Sequence, residues 1–383
     1  MKIQFLERKQ MSIRFYSTRA GSIISNDFVR KYDQFAPLTN PEKLQRLTDR
    51  ALNILLASAK FSDASTETKW GLVTSRLSKK SISLSPYDSH DSASNLRELL
   101  LHINIPIFGD PNKSLSPAAS DWRNRKQFTI PLSGEALPDH QLANKLLLPF
   151  LKGRVSLIGA ATWNSDETFR TLRYLADSQS QDFTIPYVAN IEINGLNARL
   201  AHLTASELGL DTHRFCSIEG NALEGLPKPS RIFKANRQFI IACRLLPYLS
   251  FNETSKLLTH IYHHLSYTKG YAVLTYPALS IQELSKPTSA FFKRYLEFSE
   301  MGIFGKEELK DLKEEVMGIS FFSKIDMPEE GLVKDSLYQT ILFQEKIPKL
   351  FTDLHHLKIR ETESIIGHDL VPRAVTVVSR LKA

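Results

Sequence analysis

The 383-residue chain has little cysteine: Cys216 and Cys243 are its two thiols. Two cysteines make neither a disulfide framework nor a zinc cluster. Both sit in apolar runs that read as strands, so buried free thiols in a reducing compartment are expected. No stretch approaches the roughly 18 uninterrupted apolar residues of a membrane-spanning helix, which argues against a membrane partner. There is no secretory hydrophobic segment and no internal repeat. Charge is not extreme either. A formal +8 over 383 residues is compatible with an anionic partner such as nucleic acid without requiring one, since a solvated basic face gives the same balance.

What is present is an ordinary soluble composition, 42% hydrophobic and 23% charged, in a chain long enough for two domains. Residues 1–25 carry Lys2, Arg8, Lys9, Arg14 and Arg19 against the single acid Glu7. They read as a basic leader that does not pack on the fold: a transit-peptide-like segment, or a tail on a cytoplasmic or secreted effector protein. Cytoplasmic placement is the working expectation, with an organellar matrix or secretion as the alternatives.

Residues 26–150 read as mainly helical. In PEKLQRLTDRALNILLASAKF, Leu44, Leu47, Ala51, Leu52 and Leu55 fall on one helix face. TETKWGLVTSRL, SNLRELLLHINI and HQLANKLLLPFL read as further helices. The serine-rich residues 80–94 and the proline-bearing stretch after 105 read as irregular.

From residue 151 the pattern changes. Strand-like runs RVSLIGA, IPYVANIEI, FCSIEG, RQFIIACRLL and YAVLTYP alternate with helical ones, which argues for βαβ units and a largely parallel sheet. SLYQTILFQEKIPKLFTDLHH reads as a last helix, followed by LKIRETES and RAVTVVSRL as a closing antiparallel hairpin. Residues 281–335 read as an insertion before that last helix, helical over 291–318.

Several local signals fall at the ends of successive strands. RVSLIGAAT runs a strand into the small residues Gly159, Ala160, Ala161 and Thr162, which allow close backbone approach to a ligand; an ordinary βα turn has the same look. Glu192 ends the second strand, where a carboxylate can accept ribose hydroxyls. It lies 33 residues beyond Gly159, a longer gap than the ~20 of dinucleotide folds. Asn221 and Ala222 follow the third strand, and an asparagine amide oxygen can accept from an amino group. Arg244 interrupts an apolar run, and Leu246-Pro247-Tyr248 follows it. His260, His263 and His264 stand on one helix with His263 and His264 about 100° apart, so a helix surface and no metal site is expected.

This order of elements over about residues 153–383 resembles the class I S-adenosylmethionine-dependent methyltransferases, although the glycine loop is reduced to Gly159. The resemblance implies a Rossmann-like methyltransferase sheet, mostly parallel with an antiparallel C-terminal hairpin strand, and S-adenosylmethionine as cofactor. It implies cofactor contacts at Gly159, Ala160, Thr162, Glu192, Asn221 and Ala222. Tyr248 and Arg244 become the candidates for catalysis beside the methyl position. The expected acceptor is a small molecule or a protein side chain, in a pocket lined by Tyr248, Tyr276 and the insertion. Nucleic acid, and with it RNA methylation, is the alternative substrate. A catalytically inactive binding or scaffold protein on the same fold is the alternative function.

Overall fold

The computed structural model describes residues 22–35, 40–59, 96–109, 120, 123–124, 137–160, 166–178, 182–210, 214–226, 237–284, 318–325, 335–366 and 372–381. Its centre is one sheet. The parallel strands β2 (Gly153–Ala160), β3 (Phe183–Glu192), β4 (Phe215–Gly220), β5 (Arg237–Cys243) and β6 (Tyr271–Leu279) join the antiparallel pair β9 (Leu357–Ile366) and β10 (Pro372–Arg380). A two-residue strand β1 (Ile107–Phe108) adds an edge, giving the order β1-β4-β3-β2-β5-β6-β10-β9. This is the expected Rossmann-like methyltransferase sheet, with its mostly parallel body and antiparallel C-terminal hairpin.

The strands form because their residues are buried on both faces. β3 is buried from Ile185 to Glu192, and β5, β6 and β10 are buried along most of their length. Such unbroken runs require helices on both sides of a sheet. On one face lie α1 (Asn26–Phe35), α2 (Asn40–Ala59), α3 (Pro138–Leu147), α4 (Asp166–Asp177) and α5 (Gly195–Glu207). They share a hydrophobic cluster that runs from Phe28, Leu44 and Leu147 to Val155, Phe239 and Val375. The other face carries α6 (Phe251–Thr268), whose Leu257, Leu258 and Ile261 pack on Ile240, Leu274 and Ala374. β9 is the exception. Its residues from Arg360 to Glu363 stay at the surface, and charge on an exposed edge strand opposes pairing with another chain.

Helix starts follow local chemistry. Asn194 caps α5, its side-chain oxygen accepting from the N–H groups of Leu196 and Asn197 at 3.0 Å each. Ser250 and Glu253 form a reciprocal capping box on α6. Pro138 occupies the first turn of α3, where its missing N–H costs nothing.

The structure corrects three expectations. Ile23 is fully buried, and it donates its N–H to the carbonyl of Ile185 at 2.6 Å while Ser22 Oγ accepts from Ile185 N–H at 3.1 Å. Residues 22–25 therefore dock on the start of β3 and do not belong to a free leader; residues 1–21 lie outside the described residues. The stretch read as a last helix instead begins as strand β8 (Asp335–Phe343), paired antiparallel with β7 (Gly318–Ile325). Ile341, Leu342 and Phe343 are fully or almost fully buried. Beyond β8 the expected helical path does run on, from a tight turn at Gln344–Lys346 through Ile347 and Pro348, both with right-handed helical backbone, into the wider turn Lys349–Leu354. Within the insertion, 285–317 and 326–334 lie outside the described residues, and 318–325 form a strand that follows the stretch read as helical, 291–318. The readings of 66–77 as a helix and 80–94 as a loop also fall outside them.

Candidate functional site

In a doubly wound sheet the ligand crevice lies at the C-terminal strand ends, where neighbouring strands depart in opposite directions. Here that point is β2. β3 and β4 lie to one side of it, and β5 and β6 to the other. Gly159 pairs with Asn190 of β3 and Ile241 of β5, so it sits at the end of the central strand. Ala160, the last residue of β2, is fully buried. Thr162 lies outside the described residues.

Glu192 ends β3 and pairs in register with Glu219 of β4. Its carboxylate is fully buried, and Oε1 accepts the N–H of Asn194 at 3.0 Å. The same asparagine caps α5, so the acidic strand end and the helix start are one bonded unit. Asn221 follows β4 and caps the turn Ala222–Glu224, its amide oxygen accepting from Leu223 N–H at 2.9 Å. Ala222 is buried beside it. The structure thus brings Gly159, Ala160, Glu192, Asn221 and Ala222 to one edge of three adjacent parallel strands.

On the other side of β2, Arg244 follows β5 with a left-handed backbone, φ +56°. Its N–H reaches Thr275 Oγ1 at 2.9 Å and Thr275 O at 3.1 Å. The guanidinium holds Asp139 of α3 in a bidentate pair, Nη2 to Oδ1 at 2.6 Å and Nε to Oδ2 at 2.9 Å. The Arg244 guanidinium, expected beside the methyl position, is thus committed to a buried carboxylate. Thr275 Oγ1 donates to Asp139 as well, at 3.1 Å. Burial pushes the Asp139 carboxyl up, but the hydrogen bonds and charge of Arg244 hold it down at about 2. Tyr248 closes the short turn Leu246–Tyr248 after β5 and is half-buried. β8 packs beside that turn and pairs with the last two residues of β6, Ala278 with Leu342 and Leu279 with Phe343.

Tyr276 does not line a pocket. It is fully buried, its hydroxyl 2.7 Å from Thr376 Oγ1 and its ring stacked near Phe351. Burial raises its phenol above the ordinary value. His264 also departs from expectation: it is buried against Gln238 of β5, and burial lowers its imidazole to about 4. His260 Nε2 lies 3.0 Å from the carbonyl of Leu223, beside the turn that follows β4.

A second group, which no sequence signal marks, lies next to the Arg244–Asp139 pair. His140 follows Asp139 in α3, and its Nε2 is 3.0 Å from Glu167 Oε1 in the first turn of α4. Cys243, the last residue of β5, places its thiol against the same imidazole. His140, Glu167 and Cys243 are all buried. Burial opposes a charge on His140, but Glu167 and then Cys243 outweigh it and hold the imidazole above its ordinary value. Burial raises the Cys243 thiol.

No family model and no curated protein matches the chain. Solved structures resemble it at low identity and low TM-score. The magnesium protoporphyrin IX methyltransferase ChlM from Synechocystis PCC 6803 is 12% identical, with a TM-score of 0.37, over 63% of this chain and 82% of that one. The 1,6-didemethyltoxoflavin-N1-methyltransferase of Burkholderia thailandensis is 11% identical, with a TM-score of 0.38, over 64% and 79%. The pyocyanin biosynthetic protein PhzM is 12% identical, with a TM-score of 0.37, over 63% of this chain and 54% of its own. The chain thus spans about half the length of PhzM. At these identities and TM-scores the likeness carries nothing about the reaction, and any functional reading rests on the sheet and its strand ends.

Proposed function

We propose that the chain is an S-adenosylmethionine-dependent methyltransferase acting on a small molecule or a protein side chain. The observation that carries this reading is the meeting of Gly159, Glu192 and Asn221 at the C-terminal ends of the adjacent strands β2, β3 and β4. The donor set suits the cofactor. Glu192 offers a carboxylate to vicinal hydroxyls, Asn221 an amide to an amino-purine edge, and Gly159 with Ala160 a wall without bulk. When bound, S-adenosylmethionine supplies an electrophilic methyl group on a sulfonium. The chain's own residues then have mainly to position and to exclude water. Asn194 orients Glu192 through its N–H, and the cap on Leu223 fixes Asn221. Tyr248 stands after β5, on the side where an acceptor would enter, with β8 packed beside its turn.

The competing reading is a binding or scaffold protein on the same sheet. It is favoured by the engagement of the Arg244 guanidinium with Asp139. Thermal denaturation with S-adenosylmethionine and with S-adenosylhomocysteine tests binding. Transfer of labelled methyl to a panel of small molecules and proteins then separates the two readings: binding with no acceptor methylated favours the scaffold, and no binding removes the methyltransferase and leaves the scaffold.

A further inference from the structure

Asp139 and His140 are adjacent in the first turn of α3, and their side chains hold two different elements. Asp139 grips Arg244, the residue that follows β5, with contacts of 2.6 and 2.9 Å. His140 grips Glu167, in the first turn of the helix that follows β2, at 3.0 Å. The ends of β2 and β5 are the two sides of the switch point, and these strands are direct neighbours in the sheet. One turn of α3 therefore ties both walls of the crevice to a common post.

We propose that Asp139 and His140 are positioning residues, a two-pronged clasp that sets the separation of the crevice walls and loosens when His140 gives up its proton. This deepens the cofactor-binding reading and rests on it. The physical case is the cost of the arrangement. A charged imidazole near a helix N-terminus opposes the helix dipole, and burying an ion pair does not stabilise a fold better than apolar packing would. Removing one partner is what costs, because the other charge is left buried alone. The groups that face His140 are Glu167 from α4, Cys243 from β5 and Asp139 from its own helix. Asp139 is faced in turn by Arg244 and by Arg373 of β10. Of these, His140 is the group whose charged form its neighbours favour, Glu167 first and then Cys243. Its imidazole is held above the ordinary 6.5, so the clasp is fully closed below that value and is lost as pH rises through the raised one. Above it the imidazole is neutral, the ion pair that His140 makes with Glu167 is lost, and the first turn of α4 loses its tether.

The test is the affinity for S-adenosylhomocysteine by calorimetry from pH 6 to 9.5, in the wild type, His140→Gln and Glu167→Gln. The ligand's own ammonium titrates in this range, so the difference between proteins is read. The wild type is expected to weaken by about tenfold more than either variant across the range, both variants being weaker already at pH 6.5. Parallel pH profiles overturn the clasp and leave the cofactor reading standing. If the wild type binds no ligand at any pH, the cofactor reading fails, and the clasp is judged on hydrogen exchange in the protein alone. With the intrinsic, base-catalysed rise in rate divided out, protection factors at 166–170 and 244–249 that fall as pH rises, while those of the sheet core do not, support it, and protection factors that stay constant with pH overturn it. That wild-type exchange measurement also decides the matter if a variant fails to fold.

Discussion

Arg244 and Asp139 lie 105 positions apart in sequence, and the guanidinium of one meets the carboxylate of the other at 2.6 and 2.9 Å. Asp139 is fully buried and the Arg244 side chain is 15% exposed, so water does little to screen the pair. Breaking it from one side leaves a buried charge. Arg244→Ala and Asp139→Ala are each expected to lower stability by about 3–5 kcal/mol, read by urea unfolding. Arg244→Met with Asp139→Leu should recover part of that loss, because it leaves neither charge alone. A change below about 1 kcal/mol in both single variants would show that the pair does not hold the end of β5.

The same pair gives an acid signature. Arg244 holds the Asp139 carboxyl at about 2, below its ordinary 3.8. Its contribution is present above 3.8 and is lost as pH falls through about 2. His264 acts at a higher pH. Burial lowers its imidazole from 6.5 to about 4, so the folded state prefers it neutral. Stability is expected to fall as pH drops from 6.5 towards 4, by up to about 1.4 kcal/mol per pH unit from this group. His264→Leu should flatten that part of the curve. Identical wild-type and variant profiles between pH 6.5 and 4 would remove His264 as the source.

Ile23 anchors the chain before α1 to β3. Ile23→Ala is expected to cost about 2–5 kcal/mol, the range for emptying a fully buried aliphatic site. Deleting residues 1–25 should lower the melting temperature, because it also removes the two hydrogen bonds to Ile185. An unchanged melting temperature in both proteins would mean that this segment does not pack.

Much of the sheet was legible because its signals are local. The runs ending in Gly159, Glu192 and Cys243 are apolar, bounded by polar turns and separated by amphipathic stretches, and each became a strand. The stretch 336–356 misled for a physical reason. Leu337 and Ile341, four apart, satisfy a helical spacing as well as a strand, and pairing with 318–325 decided between them. Tyr276 looked like a pocket residue because it stands towards the C-terminal end of β6, beside the expected methyl position. Its side chain belongs to the core with Phe351, a contact made by a turn 75 positions away. The strand-end residues of the cofactor side could be nominated from position alone. The cluster of Asp139, His140, Glu167, Cys243 and Arg244 could not. Arg244 stood out as a charge in an apolar run, but its partner Asp139 and the neighbours His140, Glu167 and Cys243 read as ordinary helix or strand residues until the chain places α3 over the sheet.

Whether Gly159, Glu192 and Asn221 together form a cofactor crevice is tested most directly by calorimetry of S-adenosylhomocysteine binding to wild type and Glu192→Ala. Wild type is expected to bind with the ligand seated on Glu192. The variant is expected to fold normally while losing about 1–3 kcal/mol of binding, the scale for hydrogen bonds to a charged group. No wild-type binding at millimolar ligand, or equal affinity in the two folded proteins, would contradict the crevice.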